Sequence, residues 1–87
     1  MTPAEAIETI KGLAAAGRYV VSPHAQLRMD QRGVRPRDLR HALVNANLCR
    51  PSREGVGRWL VDGPDTDGDD LTVCCAIDGA VIVITLF

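Results

Sequence analysis

The amino-acid sequence predicts an α+β fold, with N-terminal helices packed on one face of a four-stranded, mainly antiparallel sheet. Apolar residues recur at helical spacing in the first half of the chain and in extended runs between turn-forming residues in the second. The composition, 46% apolar and 24% charged, is that of an ordinary globular protein. Its 87 residues suffice for one domain, which we divide into a helical extension, 1–17, and an α+β core, 18–87.

Three helices are expected in the first half of the chain. The first begins after a Thr2 cap and ends at Gly17, with an apolar residue at every third or fourth position between them. A short second helix, 24–32, follows a Ser22 cap, and a third begins at Pro36. Each helix therefore has a start signal and one apolar face that a sheet can cover.

Extended segments dominate the second half of the chain. Residues 18–22 read only as a short strand or extended segment. The four predicted strands are 48–53, 56–62, 71–77 and 80–87. The last contains an apolar run on both faces, which indicates a strand inside the sheet.

Composition also limits location and chemistry. No apolar run approaches the roughly 20 residues of a membrane span, and no signal peptide is visible. Three cysteines, two of them adjacent, make a disulfide framework implausible and favour the cytoplasm. The aspartates of 65–70 lack the glycine and glutamate positions of a calcium loop, and no zinc spacing occurs. We expect no metal and no cofactor.

Charge is segregated although the net charge is only −1. Residues 28–58 hold eight arginines against three acidic residues, whereas 62–78 hold six acidic residues and no basic one. A local arginine cluster favours a polyanion or an acidic protein as partner. The alternative is an ordinary solvated surface. The presence of only one Trp, one Tyr and one Phe argues against a nucleic-acid binder built on aromatic stacking platforms.

One edge of the second helix combines a titratable group with cations. His24, Arg28 and Arg32 follow each other at intervals of four residues and therefore share a helix face. Imidazole exchanges protons near neutral pH, and guanidinium groups stabilise charge on a phosphate. The alternative is structural, with Arg28 and Arg32 bonded to the sheet or to the acidic loop.

The same stretch carries a family resemblance. Residues 24–34, HAQLRMDQRGV, resemble the H-A-x-x-R-M-x-x-R-G-[IV] signature of a widespread bacterial family of small domains. Residues 58–63, RWLVDG, and the closing strand, 81–87, resemble its later blocks. That family is similar in layout to the RelE/ParE-like toxins of toxin–antitoxin systems. The resemblance implies a RelE/barnase-like fold with an RNA site on the sheet.

It further implies a toxin that cleaves RNA as a metal-independent endoribonuclease and is inhibited by a cognate antitoxin protein. In this hypothesis His24 transfers a proton, Arg28 and Arg58 hold the phosphate, and Thr85 supplies a hydroxyl. The expected RNA-binding residues are Arg32, Arg35, Arg37 and Arg53.

Two other functions remain open. The first is a non-catalytic module whose arginine face binds an acidic protein or a nucleic acid, in which case His24 is dispensable. The second is an interaction domain that pairs through a sheet edge, including as a homodimer.

Overall fold

The computed structural model describes residues 1–87, which form three helices and five strands. The elements are α1 (Pro3–Ala15), β1 (Tyr19–Val21), α2 (Pro23–Arg32), α3 (Pro36–Val44), β2 (Leu48–Pro51), β3 (Arg58–Pro64), β4 (Asp70–Ile77) and β5 (Val81–Leu86). The α+β class is thus confirmed. None of the helices has the length and apolar character needed to cross a membrane.

The sheet is mixed, with strand order β1-β5-β4-β3-β2. Strands β2 to β5 form an antiparallel meander, and β5 lies inside the sheet as predicted. However, β1 pairs in parallel with β5, Val20 standing opposite Ile82. The prediction of a four-stranded, mainly antiparallel sheet was therefore wrong in strand count and in the character of this pair.

The physical reason is that β1 has only three residues and pairs with a strand some sixty positions later. Local periodicity carries no information about such a partner, because the pairing depends on where the three helices return the chain.

All three helices contribute to one apolar core on one face of the sheet. Ala6, Ile10 and Ala14 of α1 are fully buried there, as is Met29 of α2. Removing these side chains from water stabilises the fold by roughly 25 cal/mol per Å² of apolar surface. Although α1 was predicted as an extension, it supplies part of the same core.

Helix α3 lies directly on the end of β3. A Cβ atom on Gly63 would stand 2.0 Å from the carbonyl oxygen of Ala42, so only glycine fits at that position. Beside it, Nδ1 of His41 lies 2.8 Å from the carbonyl oxygen of Pro64, which requires the Nδ1–H tautomer or the protonated ring. This close approach fixes the loop that follows β3.

Beyond the last residue of β1, helix α2 lies along the same edge of β5. The backbone N–H of Ser22 donates to Val83, and its hydroxyl donates to the carbonyl of Ile84 at 2.9 Å. Nε of Arg28 donates to the carbonyl of Leu86 at 3.2 Å. Edge carbonyls that a longer β1 would have bonded are therefore satisfied by side chains of α2.

Candidate functional site: an arginine-bearing sheet face

The face of the sheet opposite the helices, here called the open face, carries alternate residues of each strand. Arg58, Leu60 and Asp62 lie on it in β3, whereas Trp59 and Val61 point into the core. The register with the neighbouring strands adds Arg50, Thr72, Cys74, Ala76, Ile82 and Thr85. The open face therefore brings together residues from four strands that are distant in sequence.

Two arginines at one end of the open face have no acidic partner. Arg58 opens β3, and Arg53 lies in the preceding loop, residues 52–57; neither makes an ion pair with a carboxylate. Gly55 makes room for Arg58, since a Cβ there would lie 3.1 Å from the Cδ atom of that arginine. We call this β2–β3 loop with Arg53 and Arg58 the basic end. The loop also contains Glu54, which makes no ion pair with either arginine, so both guanidinium groups are available to an external anion.

Arg50 differs because a carboxylate neutralises it. Its Nη1 atom lies 3.0 Å from Oδ2 of Asp62 on the neighbouring strand, and the Thr72 hydroxyl donates to Oδ1 of Asp62 at 2.7 Å. The three side chains form a cross-strand network in the middle of the open face. Arg50 therefore adds less positive charge to this face than Arg53 and Arg58 do.

His24 and Arg28 lie on α2, which packs along the edge of β5, and Thr85 lies on β5 itself. His24 is exposed in the first turn of α2, and Arg28 is half-buried one turn later. The Ser22–Ile84 hydrogen bond holds this turn against the irregularity in β5, where Ile84 is the extra residue and Thr85 pairs with Cys74. The imidazole and the guanidinium group thus lie on the helix that is attached to the strand carrying the Thr85 hydroxyl.

The bond from Arg28 to Leu86 supports the structural alternative for that arginine, because its Nε atom anchors α2 to β5. Arg58 lies elsewhere: β4 separates it from β5, so its backbone is about 10 Å from the strand to which α2 is attached. The predicted catalytic residues therefore fall into two groups on one sheet, with His24, Arg28 and Thr85 at the α2 edge and Arg58 at the basic end.

The other predicted RNA-binding arginines lie at the opposite end of the molecule. Arg32 and Arg35 line a groove with the aspartates of the β3–β4 loop, residues 65–69, here called the acidic end. Nε of Arg35 lies 2.9 Å from Oδ2 of Asp38, and its Nη2 lies 3.7 Å from Asp67. Arg37 is exposed in the first turn of α3. These three arginines do not join Arg53.

Asp38 organises the acidic end and is not among the site residues predicted from the sequence. It is only 4% exposed and accepts hydrogen bonds from the backbone and guanidinium of Arg35 and from the backbone and hydroxyl of Thr66. The Arg35 and Thr66 side chains hold the pKa of this carboxyl far below its usual range despite the opposing effect of burial. Asp38 is the third residue of α3, a position where an acidic side chain commonly bonds back to the cap residue. That position was the one feature of the sequence that could have indicated its role.

The three cysteines are free thiols. Burial raises the pKa of Cys75 to about 12, and it also raises the pKa of Cys49 and Cys74. A raised pKa keeps the thiol protonated and unreactive at neutral pH, so the three cysteines act as small apolar side chains. No group of three His, Cys, Asp or Glu residues is arranged to hold a metal ion.

Comparison with known proteins assigns a family to most of the chain. A family model described as a domain of unknown function, DUF4258, matches residues 21–87. The match begins at the last residue of β1 and includes α2, α3 and the antiparallel meander. No curated protein and no solved structure matches. Since the family model covers well over half of its length, the chain belongs to the DUF4258 family.

Proposed function

We propose that this protein is a toxin-type, metal-independent endoribonuclease that binds RNA on the open face of its sheet. The observation that carries the proposal is the position of an exposed imidazole, His24, at the edge of a sheet face whose basic end holds two arginines without acidic partners. An RNA strand offers the phosphates that such arginines bind and the 2′-hydroxyl that allows metal-free cleavage.

In this reaction the 2′-oxygen bonds to the adjacent phosphorus as its proton passes to a base. The bond from phosphorus to the 5′-oxygen then breaks, and that oxygen takes up a proton. The products are a 2′,3′-cyclic phosphate and a 5′-hydroxyl. His24 serves one of the two proton transfers, which contributes about 10²–10⁴ in rate, and solvent water serves the other.

The remaining residues stabilise charge and orient the strand. Arg28 is held by its Nε atom, so its outer nitrogens can approach a phosphate beside His24. The Thr85 hydroxyl donates a hydrogen bond to the same phosphate. Arg58, which lies two strands away from Thr85 on the open face, and Arg53 in the adjoining loop hold a neighbouring stretch of the RNA.

A non-catalytic RNA-binding or acidic-protein-binding module is the second candidate. The observation that favours it is the separation of Arg58 from His24, together with the structural hydrogen bond of Arg28. In that function Arg53 and Arg58 are required and His24 is not.

A cleavage assay separates the two functions. Purified protein is incubated with end-labelled RNA in excess EDTA, and the new ends are analysed. We expect cleavage that leaves cyclic phosphate ends and that falls at least 100-fold in His24→Ala. His41→Ala is the matched control, since His41 is also exposed but lies on α3. RNA binding without cleavage would favour the module, and absence of both would contradict the nuclease and the RNA-binding form of the module.

The partner proposal follows from charge. An antitoxin that inhibits this protein would carry an acidic segment and cover Arg53 and Arg58, because complementary charge speeds association and orients the partner. Co-expression with the neighbouring gene product, followed by RNA competition against the purified complex, tests this. Simultaneous binding of RNA and partner would contradict a shared surface.

A further inference from the structure

A groove of about 380 Å³ crosses the open face between the basic end and the last residue of the chain. Leu60 forms part of its apolar surface, and Phe87 lies along one side. Residues 50–54 of β2 and the following loop line the other side, and they include Arg50, Arg53 and one acidic residue, Glu54. A volume of this size is typical of a site for a small ligand.

Phe87 is the aromatic residue that the core does not use. Trp59 is buried, and Tyr19 packs partly against the core, whereas Phe87 remains 47% exposed. Its backbone N–H donates to the carbonyl of Thr72 at 2.9 Å, which holds the backbone of Phe87 against β4. The backbone of Phe87 is therefore anchored, and its half-exposed apolar side chain borders the same groove as Arg53.

An aromatic face beside arginines suits one chemical class in particular. A nucleobase stacks on the ring, and the phosphates on either side contact the guanidinium groups. A base that is paired in a duplex is stacked on its neighbours and cannot enter a groove of this kind. One aromatic side chain provides a platform for one base rather than for a row of bases.

We infer that this groove binds a single unpaired nucleobase against Phe87, so that the substrate of the protein is single-stranded RNA. This inference rests on the proposed function and specifies the substrate class of the same face. Arg53 contacts a phosphate beside the bound base, and Leu60 packs against the base edge.

The test measures binding of a 12-nucleotide 2′-O-methyl RNA, which cannot be cleaved because it lacks the free 2′-hydroxyl. Three probes are compared at one salt concentration: the single strand, the same sequence as a duplex, and an abasic strand with the same number of phosphates. We expect the single strand to bind at least tenfold more tightly than either of the others.

Variants of the ring supply the matched controls. Phe87→Leu keeps an apolar side chain without an aromatic face and should weaken single-strand binding fivefold or more. Phe87→Trp should retain binding, and its emission should be quenched when the base stacks. Unchanged thermal unfolding of both variants shows that the fold is intact.

The outcomes distinguish this inference from the proposed function. Equal affinity for single, duplex and abasic strands, or unaltered binding by Phe87→Leu, would overturn the base site while leaving phosphate binding by the arginines. No binding of any probe would overturn both.

Discussion

The two ends of β3 use their arginines in different ways. At the acidic end, Arg35 is bonded to the buried Asp38 and lies near Asp67, and the loop that follows Gly63 is fixed beneath α3. At the basic end, Arg53 and Arg58 have no carboxylate partner, and the loop between them contains two glycines and a fully exposed valine.

The difference shows that a cluster of arginines in sequence is not one surface. Residues 28–58 divide into side chains that hold the fold together, such as Arg35, and side chains that remain available to an anion, such as Arg53. The arginines that hold the fold together lie near the end of β3, and those available to an anion lie near its start. Variants at the two ends should therefore have opposite profiles, with stability lost at the acidic end and RNA affinity lost at the basic end.

The largest loss of stability is expected where β3 meets α3. Gly63→Ala places a methyl group against the carbonyl oxygen of Ala42 and should lower the free energy of unfolding by about 2–4 kcal/mol. Gly12→Ala is the control, because Gly12 lies in α1 with open space around it and should gain about 0.5–1 kcal/mol. Urea unfolding measures both. A stable Gly63→Ala protein would show that α3 does not sit on β3 in this way.

The next largest effect is expected at Asp38. Asp38→Asn leaves the guanidinium of Arg35 without its charged acceptor and disturbs the bonds to Thr66, so Tm should fall by about 10 °C. Asp67→Asn should leave Tm nearly unchanged, since its contact with Arg35 is long and exposed. Equal effects of the two substitutions would remove the distinction between the buried carboxylate and the surface one.

The same carboxylate sets a dependence on pH. Because the folded-state pKa of Asp38 is depressed, its contribution to stability is fully present above its unfolded pKa, about 3.9. As the pH falls below that value towards the folded pKa, the contribution is lost. The difference in unfolding free energy between wild type and Asp38→Asn should therefore shrink from pH 6 to pH 2.5. A constant difference would contradict the role of the ionised group.

A smaller effect is expected at the α2 edge. Arg28→Met removes the hydrogen bond to Leu86 but keeps most of the apolar stem, so stability should fall by about 1 kcal/mol. Arg32 lies one turn further along α2 and makes no hydrogen bond to the sheet, so Arg32→Met should leave the free energy of unfolding unchanged. Chemical denaturation of both variants measures the two changes in the free energy of unfolding. No difference between them would mean that Arg28 does not anchor α2.

The sequence was most informative where structure is local. The Thr2 and Ser22 caps, the proline starts of α2 and α3 and the antiparallel meander all follow from short-range patterns. The parallel pairing of β1 did not, because it depends on distant segments. The strand predicted at 56–62 ended before Gly63, which the structure places in β3, for the same reason: the contact of Gly63 with Ala42 joins two distant elements.

The site was predictable in residue type more than in arrangement. The His24–Arg28 spacing places both on one side of α2, as expected. Sequence could not reveal that Arg35 is bonded to Asp38 while Arg53 is without an ion pair, since that depends on which loop each arginine meets. The groove beside Phe87 also requires three segments to converge.

The most direct test compares the two kinds of arginine in one measurement. Affinity for the 12-nucleotide 2′-O-methyl single strand is determined against salt concentration for Arg53→Ala, Arg58→Ala and Arg37→Ala. We predict that each of the first two weakens binding and lowers the salt-dependence slope by about 0.7, the value for one lost phosphate contact on a single strand, while Arg37→Ala leaves both unchanged. An equal loss in Arg37→Ala, or no loss at the basic end, would contradict the assignment of RNA binding to the open face.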